Sequence, residues 1–207
     1  GKGIISENVS NGGGGGIYVT RTGSICANVI IDGTQIIKNT SAGSGGGIFM
    51  YMNGNAITMK SGKINNNKAK DGGGVVSQRE VTFTLEGGEI CNNTAVNGGG
   101  GYYASIDSTF IMNGGSISGN YAGKSGGGVT CLRADLVKLN GGNISYNTTE
   151  TGSSAGVNIN GTYAEMNGTW VTNNKTKDAS GGGVMVQSTT AKVDGVSTRF
   201  AGRLVMT

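Results

Sequence analysis

The 207-residue chain carries 42 glycines, no proline, no histidine and a formal net charge of +4. Collagen is excluded, because a triple helix needs glycine at every third position and abundant proline; a hydrophobic content of 35% excludes a disordered linker. The charge is mild and dispersed, which speaks against nucleic acid, and without histidine neither a histidine-based triad nor most zinc sites can be built.

The first predicted element is a strand over Gly3 to Asn8 that carries Ile5. A glycine block ending at Gly16 follows, then a strand with Ile17 and Val19 apolar, then a second strand with Val29 and Ile31 apolar. A glycine turn at Gly33 leads into a strand bearing Ile36, and three residues on stands Asn39. From there the unit repeats. The block's last glycine falls at Gly16, Gly47, Gly74, Gly101, Gly128, Gly156 and Gly183, at spacings of 31, 27, 27, 27, 28 and 27 residues. The second glycine mark falls at Gly33, Gly62, Gly88, Gly115, Gly142, Gly168 and Gly195. Two residues beyond it, three in the case of Gly33, stand Ile36, Ile64, Ile90, Ile117, Ile144 and Trp170, and three further on Asn39, Asn67, Asn93, Asn120, Asn147 and Asn173.

Alternation with period two makes these runs strands with one face buried. In the first strand the predicted inward columns are Ile17, Ile48, Val75, Val129, Val157, Val184 and Val19, Met50, Ala104, Cys131, Ile159, Val186. In the second they are Val29, Ile57, Phe83, Phe110, Val137, Ala164, Ala191 and Ile31, Met59, Leu85, Met112, Leu139, Met166, Val193. Three short strands in a ~27-residue unit cannot stand alone, but stacked units place like on like at ~4.8 Å. The expected fold is therefore all-β, a right-handed parallel β-helix solenoid of about seven coils with three short strands per coil. Residues 1–195 form one repeat domain that starts mid-coil, and residues 196–207 form a divergent C-terminal coil, a cap or an appended tail.

Glycine and asparagine supply the positive φ that three turns per coil require. Proline would delete a ladder donor in strands paired on both sides. One asparagine per coil, Asn39 to Asn173, is expected to stack amide on amide as a structural ladder. The Asn-x-Ser/Thr matches at Asn8, Asn39, Asn92, Asn143, Asn147, Asn160, Asn167 and Asn174 are largely chance in so asparagine-rich a chain.

The segments Gly126-Gly127-Gly128-Val129, Phe110 to Gly115 and Ile117-Ser118-Gly119-Asn120 resemble the right-handed β-helix repeats of bacterial surface adhesins. They look like the polymorphic outer-membrane protein repeats of autotransporter passengers, with a third glycine added and isoleucine at the aromatic position except at Trp170. That resemblance spans Gly3 to Gly195 and implies an exported or cell-surface segment acting as adhesin, stalk or fibre subunit. A host-cell or matrix glycan or protein is the implied partner. End-to-end self-association is an expectation of stacked coils, and no apolar run is long enough for a membrane helix.

The architecture is similar to that of pectate lyases, so an enzyme must be weighed. Such chemistry needs paired carboxylates or an acidic calcium site. The outward rows of the first strand, Tyr18, Phe49, Val76, Tyr103, Thr130, Asn158, Met185 and Thr20, Tyr51, Gln78, Ser105, Leu132, Asn160, Gln187, hold no acid. No catalytic, metal or cofactor residue is therefore nominated. The three cysteines, Cys26, Cys91 and Cys131, form no paired motif. The candidate contact face is the apolar stripe Tyr18, Phe49, Val76, Tyr103 with the alternate-coil cations Arg21, Arg79, Arg133, for a glycan or a neighbouring chain. A loop folded over that stripe is the competing expectation. The alternative function is a carbohydrate-binding or polysaccharide-degrading protein using this face.

Overall fold

The structure is a computed structural model describing residues 3–193 and 196–207, with side chains also undescribed at residues 179, 192, 193 and 196. One coil reads Lys63–Asn65, Lys68–Ala69, Val75–Gln78, Thr82–Leu85, and each of these strands seeds a separate sheet, here A, B, C and D. Each of these four sheets has seven strands. Neighbours are parallel and in register, Ile64 beside Ile90, Val76 beside Tyr103 and Phe83 beside Phe110. Sheet A runs from Ile4–Ser6 to Trp170–Thr172, B from Val9–Ser10 to Lys175–Ala179, C from Ile17–Val19 to Val184–Gln187 and D from Asn28–Ile31 to Arg203–Met206. The expected parallel β-solenoid with a 27-residue repeat is what the chain forms. A fourth strand per coil, sheet B, two residues long in the first five coils and five in the last two, adds to the expected three.

Period two inside each strand turns one face to the axis. Ile36, Ile64, Ile90, Ile117 and Ile144 stack from sheet A, all fully buried. They meet Met50, Ala104, Cys131 and Ile159 from C, and Met59, Leu85, Met112 and Leu139 from D. Midway along the rod the column widens into an aromatic cluster, Tyr102 lying 4.1 Å from Phe110 and 5.3 Å from Phe83 between ring centres. The Tyr102 hydroxyl donates to Ser77 Oγ at 2.8 Å, which lets a polar tip sit in a dry core. Tyr102→Phe leaves the buried Ser77 hydroxyl without this partner. It is expected to lower unfolding free energy by ~1–2 kcal/mol in a urea melt.

The seventh coil departs from the expected register. Trp170 pairs with Asn143, not with Ile144, so Val171 takes the sheet A column and Trp170 stands 72% exposed. The slip follows from Thr169, which occupies the place of the second glycine and donates its hydroxyl to Gly141 O at 2.9 Å. Asn173 shifts with it and is not a rung of the ladder; Asn174 is. Ala191 and Val193 do not extend the sheet D columns either. Their strand, Thr189–Val193, pairs antiparallel with Val196–Phe200, and the chain then returns to place Leu204 beside Ala164 and Met206 beside Met166. Part of the segment expected to be divergent thus completes sheet D. The glycine mark expected at Gly195 lies outside the described residues.

Strand starts are seven residues apart from D to A and five from A to B in every coil, as from Thr82 to Glu89 to Thr94. Length varies only on the flanks of sheet C, by seven to nine residues on entry and six to nineteen on exit.

Candidate functional site

Three parts of the coil bear on the outer surface: the asparagine turn between A and B, the glycine arm between B and C, and the outward rows of C itself. In the turn, each asparagine joins three coils. Asn67 Nδ2 donates to Ile36 O in the preceding coil and to Asn93 Oδ1 in the following one, while its backbone N–H donates to the same Oδ1. The pattern runs through Asn8, Asn39, Asn67, Asn93, Asn120, Asn147 and Asn174. Asparagine supplies the positive φ of this turn in three coils, at Asn66, Asn92 and Asn173, but the ladder asparagine itself does not. The residue before it does, at Glu7, Lys38, Asn66, Asn92, Gly119, Tyr146 and Asn173, with φ between 54° and 64°. The sequons at Asn39 and Asn147 point their amides into this buried ladder.

The glycine arm has two demands. Gly99 takes φ +64°, whereas Gly100 and Gly101 pass directly beneath the Gly127 and Gly128 carbonyls, where a Cβ would collide with backbone. Because the arm bends back at the first glycine, it covers sheet C's outer face. A Cβ on Gly13 would strike Phe49, one on Gly72 would strike Val76 and one on Gly126 would strike Thr130. The expected open stripe is therefore partly closed: Tyr18 is 50% exposed, Phe49 and Tyr103 are half-buried, and Val76 is only 2% exposed. Arg21 is half-buried, Arg79 lies over the Tyr51 ring at 5.4 Å and Arg133 over Phe200 at 5.5 Å. Two of the three cations are thus engaged with rings, and each then presents charge at the rim of sheet C.

Beyond Tyr103 the outward row shrinks to Thr130 and Asn158, and a groove opens. Its cavity of about 170 Å³ has sheet C residues Thr130, Leu132, Asn158, Asn160 and Gln187 as its floor. Asp71, Asn97 and Lys124 of three successive glycine arms form one wall and Tyr103 closes an end. Asn97 Nδ2 donates to Asp71 Oδ1 at 3.1 Å, and Thr130 Oγ1 pins the arms by donating to Ser125 O and accepting from Gly99 N–H. Burial, and then the Asp71 carboxylate, push the Tyr103 phenol up to about 12. Asn158 Oδ1 and Asn160 Oδ1 are buried without a hydrogen-bond partner. The sequence nominates neither for binding: both are uncharged members of the outward rows, and Asn160 is also one of the chance Asn-x-Thr matches.

Under the groove the Cys131 thiol is fully buried, and burial pushes it up to about 12 from the ordinary 9.0. Cys131 and Tyr103 keep their protons in the fold at pH values where the unfolded chain loses them. Their stabilisation is fully present below about pH 9 and is lost as pH rises towards about 12. Urea midpoints are expected to fall steadily over that window. Cys131→Ala, the residue Ala104 already supplies in the next rung, should make the start of the fall shallower.

Among the described residues no group of three or more His, Cys, Asp or Glu side chains could hold a metal ion. Nor is any helix among the described residues long and apolar enough to cross a membrane. The sequence model of the Chlamydia polymorphic membrane protein repeat matches residues 2–20. That span covers the first strands of sheets A, B and C, the ladder's Asn8 and the first glycine block. No curated protein and no solved structure matches the chain.

Proposed function

We propose that this chain is a surface-displayed passenger segment of the polymorphic membrane protein type, a non-enzymatic stalk or adhesin. The observation that carries the reading is the coincidence of that repeat similarity with an unbroken solenoid. Four sheets and a continuous amide ladder brace each coil against both neighbours, which is how a chain holds a binding surface at a distance. Among the described residues the groove's only carboxylate is Asp71, already accepting from Asn97, which does not supply the paired acids of glycoside cleavage. Antibodies to the folded segment should label intact, unpermeabilised cells of the source organism, and external protease should erase the signal. Labelling only after permeabilisation would overturn the reading.

End-to-end assembly into a fibre belongs to the same proposal. The edge strands Ile4–Ser6 and Trp170–Thr172 of sheet A offer main-chain groups that a further coil can pair with. Light scattering is expected to show mass growing with protein concentration; a constant monomer mass would remove this part.

A further inference from the structure

We propose that the groove on sheet C is a binding site for a single uncharged sugar unit, held by Asn158 and Asn160. A buried amide oxygen without a donor is unfavourable, and native chains leave few of them. Here two lie in one concavity. Asn158 is only 2% exposed, its Oδ1 has no partner, and it lines the groove together with Asn160, whose Oδ1 is equally unpartnered. Both stand on the strand Val157–Asn160, two residues apart, so their side chains leave the same face ~6.6 Å from each other.

Two acceptors at that spacing call for a ligand with several donors on a compact frame. Ring hydroxyls provide this. Tyr103 and Leu132 add an apolar edge for the C–H face of a ring. The charged side chains of the lining, Asp71 and Lys124, cancel, which favours a neutral unit over a uronate or sialate. The volume of about 170 Å³ is room for about six waters at ~30 Å³ each, enough for one sugar ring and too little for a peptide strand. A peptide would also find a floor of side chains, since the main-chain groups of these inner strands are already paired on both sides. The site stands whether or not the rod is displayed on a surface.

The test uses saturation-transfer NMR and calorimetry on the whole chain. The probes are the methyl glycosides of glucose, galactose, mannose and N-acetylglucosamine, a uronate glycoside and a short unstructured peptide. Two variants copy residues that the same columns already accept: Asn158→Val, as at Val76, and Asn160→Leu, as at Leu132. Each removes an orphaned acceptor, so melting temperature should hold or rise. At least one neutral glycoside is expected to bind, each variant should weaken it about tenfold or more, and Ile30→Ala, on the exposed outer side of the strand Asn28–Ile31, should leave it unchanged. Absence of transfer to every neutral glycoside, binding that survives both variants, or preference for the uronate or the peptide would each overturn the assignment.

Discussion

Asn93→Ala is expected to lower the unfolding free energy by about 4 kcal/mol, several times the effect of an ordinary surface change. Asn93 Oδ1 accepts from the Asn67 backbone N–H at 2.9 Å and from Asn67 Nδ2 at 3.0 Å, while its own Nδ2 donates to Ile64 O and Asn120 Oδ1. Alanine removes all four bonds and leaves two Asn67 donors facing a space closed to water, each costing ~1–3 kcal/mol. Urea unfolding followed by circular dichroism measures it. The companion pair reads the register of the seventh coil: Asn174→Ala should cost more than Asn173→Ala, because Asn174 is the rung and Asn173 is exposed. A loss under about 1 kcal/mol at Asn93 would show that the ladder follows the coil and does not hold it.

Gly100→Ala should be nearly as damaging, by about 3 kcal/mol, although it adds a single methyl group. The new Cβ would press into the carbonyls of Gly127 and Tyr121, which belong to the neighbouring coil's backbone and cannot rotate away. The coils would have to part locally, and four parallel sheets would feel it. Ala155 shows what tolerance requires. It occupies the equivalent position in the sixth coil, fully buried, where the arm from Thr148 to Val157 is a residue longer than that from Tyr121 to Val129. A Gly100→Ala melt within about 1 kcal/mol of the parent would mean that the arms yield readily.

The columns and most of the ladder were legible because each coil repeats one residue type at one place, so seven copies vote on each position. Ile64, Phe83 and Asn93 needed no more than that. Sheet B was not legible: two residues such as Lys68–Ala69 carry no periodicity. The seventh coil failed where two neighbours could serve equally as the marker. Thr169 replaced a glycine, and the doublet Asn173-Asn174 offered two candidates, of which hydrogen bonding selects the second. The contact face was half legible. Alternation placed Tyr18, Phe49, Val76 and Tyr103 outward correctly, but outward is not the same as exposed once glycine arms fold back over the sheet. The groove arises from that covering together with the shrinkage from Tyr103 to Thr130 and Asn158. Unsatisfied amide oxygens become visible only when every nearby donor has been placed.

The invariant spacing from D through A to B, against variable length on both flanks of C, divides the rod into a conserved spine and an editable side. The hairpin between Thr189 and Phe200 leaves and re-enters at the C-to-D corner, after which Arg203–Met206 pairs in register with Tyr163–Met166. The seventh coil thus gains a dozen residues there while Val184–Gln187 and Arg203–Met206 both keep their register with the sixth. Such a rod can diversify the rim of its groove by insertion while the frame stays fixed, much as loops on a rigid scaffold acquire new specificities. A foreign peptide placed between Ile106 and Asp107 should accordingly be carried without loss of the solenoid.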